Sequence, residues 1–179
     1  MLTVIIGGSG SGKSEYAENV ATDYQDTNLV YLATMQPFGE ETRKRIERHK
    51  KMRKEKQFTT IECYVNLDSI TLLPKTSVLL ECMSNLVANE MFSPDGAKND
   101  TYERVKMELL YLTSHADNVI IVTNQVFSDG ITYDMETMNY LKVLGKVNQW
   151  VSALADEVIQ VIYGIPVVLK RRAYETMDQ

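Results

Sequence analysis

Directly after the apolar run Leu2-Thr3-Val4-Ile5-Ile6, the chain reads Gly7-Gly8-Ser9-Gly10-Ser11-Gly12-Lys13-Ser14. This is the spacing G-x-x-x-x-G-K-[ST], in which a loop curls tightly enough to aim several backbone N–H groups at a phosphate. Glycines permit the curl because they take positive φ without a Cβ clash. Lys13 then reaches the outer phosphates and Ser14 offers its hydroxyl to Mg²⁺. The helix that begins here presents unpaired N–H groups and the positive end of its dipole to the anion. Strand, loop and helix in this order commit the chain to binding a nucleoside triphosphate.

The rest of the sequence repeats that alternation. A helix is expected over 13–23, where Tyr16, Ala17, Val20 and Ala21 keep helical spacing, and Asn28-Leu29-Val30-Tyr31-Leu32-Ala33 reads as a buried strand. Pro37 and Gly39 precede a long charged helix over 40–56, followed by an alternating strand over 58–64. Further strands are expected at 77–82, 118–123, 158–163 and 167–170, the last two split by the turn Gly164-Ile165-Pro166. Helices fall at 84–92, from Asn99 or Asp100 to 114, and at 135–155. Strands that are apolar throughout, alternating with helices, imply an α/β phosphate-loop NTPase: a mainly parallel sheet with helices on both faces and its ligands at the carboxyl ends of the strands. One domain is expected over 1–170, with 171–179 as a frayed tail.

Composition narrows the partners. The net charge of −5 argues against a dedicated nucleic-acid binder, whose footprint is basic. Cys63 and Cys82 have neither the spacing nor the company for a zinc site or a disulfide framework, so both are expected as reduced core residues. No charged leader precedes an apolar stretch, and no run approaches the roughly 18 apolar residues of a membrane span. A cytoplasmic location is expected.

Two features carry chemistry beyond the loop. Glu81 ends an apolar strand and would emerge at the sheet edge that carries the phosphate loop, suited to Mg²⁺ beside Ser14 or, more plainly, to capping the next helix. Positions 43–56 hold nine of the 19 lysines and arginines. Such a run is ordinarily a solvated helix face, and no aromatics interleave for base stacking. Within it, Arg45, His49 and Arg53 fall at i, i+4 and i+8, one stripe of a helix with an imidazole between two guanidiniums. Flanking cations disfavour imidazolium, so the ring stays neutral and nucleophilic, and the guanidiniums can fork onto triphosphate oxygens. This suits a covalent phosphohistidine-type intermediate.

These residues, taken in order, are similar to those of the bifunctional adenosylcobinamide kinases and adenosylcobinamide-phosphate guanylyltransferases of cobalamin biosynthesis. The resemblance spans nearly the whole chain. It rests on the phosphate loop, Tyr31-Leu32-Ala33-Thr34, Arg45-Ile46 before His49, Arg53 after it, and Phe58, Thr60 and Glu62 in place of a W-x-T-x-E pattern. Farther on it includes Leu80-Glu81-Cys82, Asn89, Val122-Thr123-Asn124, Lys146-Val147-Asn148-Gln149, Ala155-Asp156-Glu157-Val158 and Gly164-Ile165-Pro166. The resemblance implies a RecA-like sheet, a homotrimer, ATP and GTP as substrates, and a corrinoid partner. It implies phosphorylation of adenosylcobinamide, then attack of His49 on the α-phosphorus of GTP and delivery of GMP to adenosylcobinamide phosphate. Thr34, Lys50, Lys51, Arg53, Glu62 and Glu81 would contact the nucleotide, the glutamates suiting guanine or ribose donors. That leaves Glu81 between metal and nucleoside. The chain departs from the family at 124–132, where Asn124-Gln125-Val126-Phe127-Ser128-Asp129-Gly130-Ile131-Thr132 stands in place of N-E-V-G-x-G-I-V-P, and at Lys54, where a proline is usual. Two other readings stay open on the residues alone: a phosphate-loop kinase for another small molecule without guanylyl transfer, and a nucleotide-dependent regulatory or nucleic-acid-binding protein.

Overall fold

A computed structural model describes residues 1–24, 27–53, 56–125 and 133–172, with the side chains at 41, 45, 48, 49, 52 and 53 excepted. Seven strands form one sheet in the order β3-β2-β4-β5-β1-β6-β7. In chain order the elements are β1 (Leu2–Gly7), α1 (Lys13–Thr22), β2 (Asn28–Ala33), α2 (Gly39–Arg53), β3 (Thr59–Glu62), β4 (Thr76–Glu81), α3 (Met83–Phe92), α4 (Thr101–His115), β5 (Asn118–Asn124), α5 (Met135–Leu154), β6 (Glu157–Ile162) and β7 (Ile165–Arg171). Every pairing is parallel except β6 with β7, which is antiparallel. The expected mainly parallel sheet is therefore the observed one.

Because side chains alternate along a strand, each face collects its own core. One face packs Leu2 and Val4 with Val30, Leu32, Val78, Leu80, Val119 and Ile121 under α3, α4 and α5. The other packs Ile5, Tyr31, Leu79, Ile120, Val122 and Ile159 against Ala17 and Ala21 of α1. Ile5, Leu32, Leu79, Leu80, Ile120 and Ile121 are fully buried, and each such side chain contributes roughly 1.5–3 kcal/mol relative to exposure. The apolar runs of the strands are thus explained by burial on both sides.

The departures from expectation sit at element ends. Helix α2 stops at Arg53, not 56. Lys56 is already in a turn, its Nζ donating to Glu18 Oε2 at 3.0 Å and Asn19 Oδ1 at 2.9 Å on α1, and Gln57 takes φ 57. Strand β3 is shorter than 58–64, because only Thr59–Glu62 pairs with β2. Strand β4 ends at Glu81, and Cys82 occupies the N-cap position of α3. Asp100 stands at the N-cap of α4, yet its side chain makes no capping bond. The turn expected at Gly164-Ile165-Pro166 is tighter, with Tyr163 (φ 50) and Gly164 (φ 79) at the tip and Ile165 and Pro166 already in β7. Pro166 is tolerated there because β7 is an edge strand.

Arg171 is not frayed: it closes β7 and pairs with Glu157, and Arg172 pairs with Asp156. Residues 173–179 lie outside the described residues. So does the altered segment 124–132 beyond Gln125. Cys82 is buried and Cys63 half-buried, both free thiols. Among the described residues no helix is long and apolar enough to cross a membrane.

Candidate active site

The parallel register brings the functional ends of five strands to one edge. Gly7 is level with Asn124, Glu81 with Ala33, and Ala33 with Glu62. The phosphate loop leaves β1 at this edge. A Cβ on Gly7 would stand 2.4 Å from Ser11 Oγ and 2.9 Å from the Val161 carbonyl, so the loop can fold back on the strand only at glycine. Gly12, at φ 88, turns the chain into α1 as its N-cap and lies against Gly164 at the β6–β7 tip, whose N–H donates to the Ser11 carbonyl at 2.8 Å. Gly8, Ser9 and Gly10 form the outer rim of the loop. Lys13, at the first position of α1, is buried with its ammonium on the Gly8 carbonyl at 2.9 Å.

In the same first turn of the helix, Ser14 donates to Glu81 Oε1 at 2.5 Å, and Tyr31 donates to Glu81 Oε2 at 2.8 Å. A strand-end carboxylate and the loop's hydroxyl are therefore already side by side. Two hard oxygen donors in this arrangement, with phosphate oxygens to complete the shell, fit Mg²⁺, which takes few protein ligands. The alternative in which Glu81 merely caps α3 finds no support, since that helix has no side-chain capping bond.

Next to Glu81 opens a cavity of about 220 Å³. Tyr31 and Glu81 lie at its inner end, Met35, Pro37 and Ile46 form apolar walls, and Lys50, Glu62 and Tyr64 stand at its mouth. Lys50 pairs with Glu62 at 3.0 Å, and the Tyr64 hydroxyl donates to the other oxygen of Glu62 at 3.0 Å. The Lys50 ammonium, with help from Tyr64, holds the Glu62 carboxyl below the usual carboxylate range, so it stays an acceptor.

Of the residues singled out in the sequence, Gly7 to Ser14, Lys50, Glu62 and Glu81 thus share one edge, and Lys51 is exposed on α2. Helix α2 carries Arg45, His49 and Arg53 on successive turns as the spacing demanded, their side chains lying outside those described. Thr34 lies at the end of β2, next to that edge. It is wholly buried, its hydroxyl donating to the Cys82 carbonyl at 2.9 Å and accepting from the Cys82 N–H at 2.7 Å, so it splints β2 to the exit of β4. Sequence reasoning missed Tyr31 and Tyr64 as parts of the site.

The family described as cobinamide kinase / cobinamide phosphate guanyltransferase, CobU, matches residues 3–169. The chain belongs to this family. Among relatives, the bifunctional adenosylcobalamin biosynthesis protein CobU of Salmonella typhimurium is 32% identical over 185 residues, covering 95% of this chain and all of that protein. Its namesake in Escherichia coli is 31% identical with the same coverage. CobP of Pseudomonas aeruginosa is 25% identical, covering 95% of this chain and 98% of its own length. As a CobU-family member the protein is a cobinamide kinase and cobinamide phosphate guanylyltransferase, the two activities that the resemblance implied. The readings as an unrelated kinase and as a regulatory or nucleic-acid-binding protein give way to that membership.

Solved structures agree on the fold alone. The flagellar accessory protein FlaH of Methanocaldococcus jannaschii superposes with a TM-score of 0.51 at 13% identity, over 96% of this chain and 78% of that one. A second solved structure, an isolated ATPase domain, gives 0.57 at 11% identity, over 96% and 77%. Both likenesses concern the mainly parallel, helix-flanked sheet described above.

Proposed function

We propose that both transfers use the single nucleotide site at this sheet edge, and that the second passes through a guanylyl-histidine on His49. In the kinase step the aminopropanol hydroxyl of adenosylcobinamide attacks the γ-phosphorus of ATP or GTP held by Gly7 to Ser14, and the nucleoside diphosphate leaves. Lys13 neutralises charge gathering on the outer phosphates, and the loop N–H groups do the same from fixed positions. Ser14 and Glu81 would hold Mg²⁺, which when bound would supply Lewis-acid stabilisation of phosphate charge. In the guanylyl step His49 attacks the α-phosphorus of GTP and pyrophosphate departs. A phosphate oxygen of adenosylcobinamide phosphate then takes GMP from the imidazole, releasing His49 and giving adenosylcobinamide-GDP.

The observation that carries this reading is the convergence of the Ser14–Glu81 pair, the cavity and helix α2. Ile46 and Lys50, which flank His49 in sequence by three residues and one, line the cavity. A largely apolar cavity with an ionised carboxylate on its lining suits guanine, whose N–H edge Glu62 accepts, while Glu81 serves the metal. Arg45, Arg53 and Lys51 then offer cations for the triphosphate as it meets the helix.

The chain is further proposed to act as a homotrimer in the cytoplasm. Edge strand β7 supports assembly: Ile165, Val167, Val168 and Leu169 are 65, 41, 47 and 57% exposed in a single chain, an apolar edge that soluble proteins rarely leave uncovered. The deciding experiment uses GTP labelled at the α-phosphorus. Acid-labile label is expected on the protein and absent from His49→Ala, while γ-phosphate transfer to adenosylcobinamide continues in that variant. Label that persists in His49→Ala overturns the assignment.

A further inference from the structure

A glutamate at a strand end has three rotatable bonds, and its carboxylate meets Ser14 only if that freedom is removed. We propose that Tyr31 is the positioning residue that removes it, its phenol hydroxyl pinning one oxygen of Glu81 so that the other is presented beside Ser14 for the metal. This rests on the reading of Ser14 and Glu81 as the Mg²⁺ pair.

The geometry is specific. Tyr31 donates to Oε2 at 2.8 Å and Ser14 to Oε1 at 2.5 Å, so the two hydroxyls hold opposite oxygens and do not compete. On β2, Tyr31 lies opposite Leu79, two residues short of the level at which Ala33 pairs with Glu81, and on the same face. Two residues of strand are about 6.6 Å, a gap the long tyrosine ring spans and a shorter polar side chain does not. The ring is itself immobilised. It is 4% exposed, belongs to the core cluster of Ile5, Leu79 and Ile120, and meets Phe58 edge-on with centroids 6.1 Å apart and planes at 78°. A donor fixed by packing fixes its acceptor in turn, the way outer-shell hydrogen bonds orient metal-binding carboxylates. Phe58, at the place of the family's tryptophan, acquires a function through this contact: it buttresses the ring that buttresses the carboxylate.

The test is Tyr31→Phe, which keeps the ring and its packing and deletes only the donor. Mn²⁺ binding to the enzyme–GTP complex is read from the free-ion electron paramagnetic resonance signal, with GTP affinity measured separately in EDTA. The expected result is Mn²⁺ affinity about tenfold weaker in Tyr31→Phe, with metal-free GTP affinity unchanged. Glu81→Gln serves as reference and should weaken Mn²⁺ at least as much. Unchanged Mn²⁺ affinity in Tyr31→Phe beside a weakened Glu81→Gln overturns the role of Tyr31 and leaves the metal pair standing. If neither variant weakens Mn²⁺ binding, the metal reading fails and the proposal with it. An equal loss of metal-free GTP binding in Tyr31→Phe also overturns it, since the phenol would then be holding the fold rather than the carboxylate.

Discussion

Four glutamates are buried among the described residues, two on each face of the sheet, and they are held in opposite ways. On the α1 face, Glu81 and Glu18 meet side chains that belong to the nucleotide machinery or to the approach of α2: Ser14 and Tyr31 for the first, Lys56 for the second. On the α3–α4 face, Glu90 and Glu108 accept backbone N–H groups. Glu90 takes those of Asn66 and Ala97, each at 2.9 Å, and Glu108 takes that of Leu67 at 2.8 Å, so the pair clamps the loop that follows β3. A buried charge is costly wherever it sits. Where its partners are side chains of the nucleotide machinery or of its approach it is available to chemistry; where they are chiefly backbone amides, with Arg104 3.7 Å from Glu108, it is architecture.

The sharpest break between the faces is expected from Lys13→Ala. Removing the ammonium at the phosphate loop should lower both γ-phosphate transfer and α-label incorporation by about 10²–10³-fold, the cost of deleting one preorganised charge-stabilising group. Retention of either reaction near the native rate would show that the α1 face does not carry it. The folding stability of the variant should move far less than its rates.

The opposite signature is expected from Glu108→Gln, which should alter stability and leave catalysis near native. Burial, compounded by the Glu90 carboxylate beside it, raises the Glu108 carboxyl to about 8 from 4.5, despite the Leu67 N–H and the Arg104 guanidinium acting the other way. Asp68, which accepts from Arg104, adds a further negative charge on the loop side. The folded protein thus keeps a proton that the unfolded chain releases above 4.5, and its stability is lost as pH rises from 4.5 to about 8 and levels off beyond. The slope is at most about 1.4 kcal/mol per pH unit. A carboxamide replaces the protonated carboxyl, still accepting from Leu67 and staying neutral at every pH. Denaturant unfolding at pH 6 and pH 8 should therefore differ by about 2 kcal/mol in the native protein and by little in Glu108→Gln. A native stability that is flat across that interval would refute the raised Glu108 carboxyl.

The two faces were also unequally legible in the sequence. The phosphate loop announces itself because a run of glycines with Lys13 and Ser14 has few other uses, and Glu81 stood out as a charge ending an apolar strand. Tyr31 did not, since a tyrosine in a buried strand reads as core. Its place two residues before the level of Glu81 becomes meaningful only once β2 and β4 are known to be neighbours in register. Glu90 and Glu108 left a fainter trace that could have been used. Each falls in the apolar stripe of its helix, with Leu86, Val87 and Met91 in α3 and with Val105, Leu109 and Leu112 in α4, so helical period alone buries them. The end of α2 was illegible for a different reason. Charged residues continue past Arg53 without any helix-breaking signal, whereas Lys56 lies in a turn and reaches Glu18 on α1.

That attraction yields the most discriminating test. Lys56, with its side chain 24% exposed, is paired at 3.0 Å with a Glu18 that is fully buried on α1, so the segment leading out of the basic helix is tied to the helix that begins at the phosphate loop. Lys56→Met takes this cation away from the buried Glu18 and should cost about 2–3 kcal/mol of stability. If the tie also sets the approach of α2, α-label incorporation should fall by roughly tenfold, about 1.4 kcal/mol, while γ-phosphate transfer, which needs only the loop and its metal pair, changes little. The double variant Glu18→Gln/Lys56→Met separates the two consequences. It removes the buried charge as well, so most of the stability should return, but it does not restore the tie, so labelling should stay low. Labelling that recovers together with stability would mean that Lys56 merely satisfies a buried carboxylate, and the distinction drawn between the faces would then fail at Glu18 and hold only at Glu81.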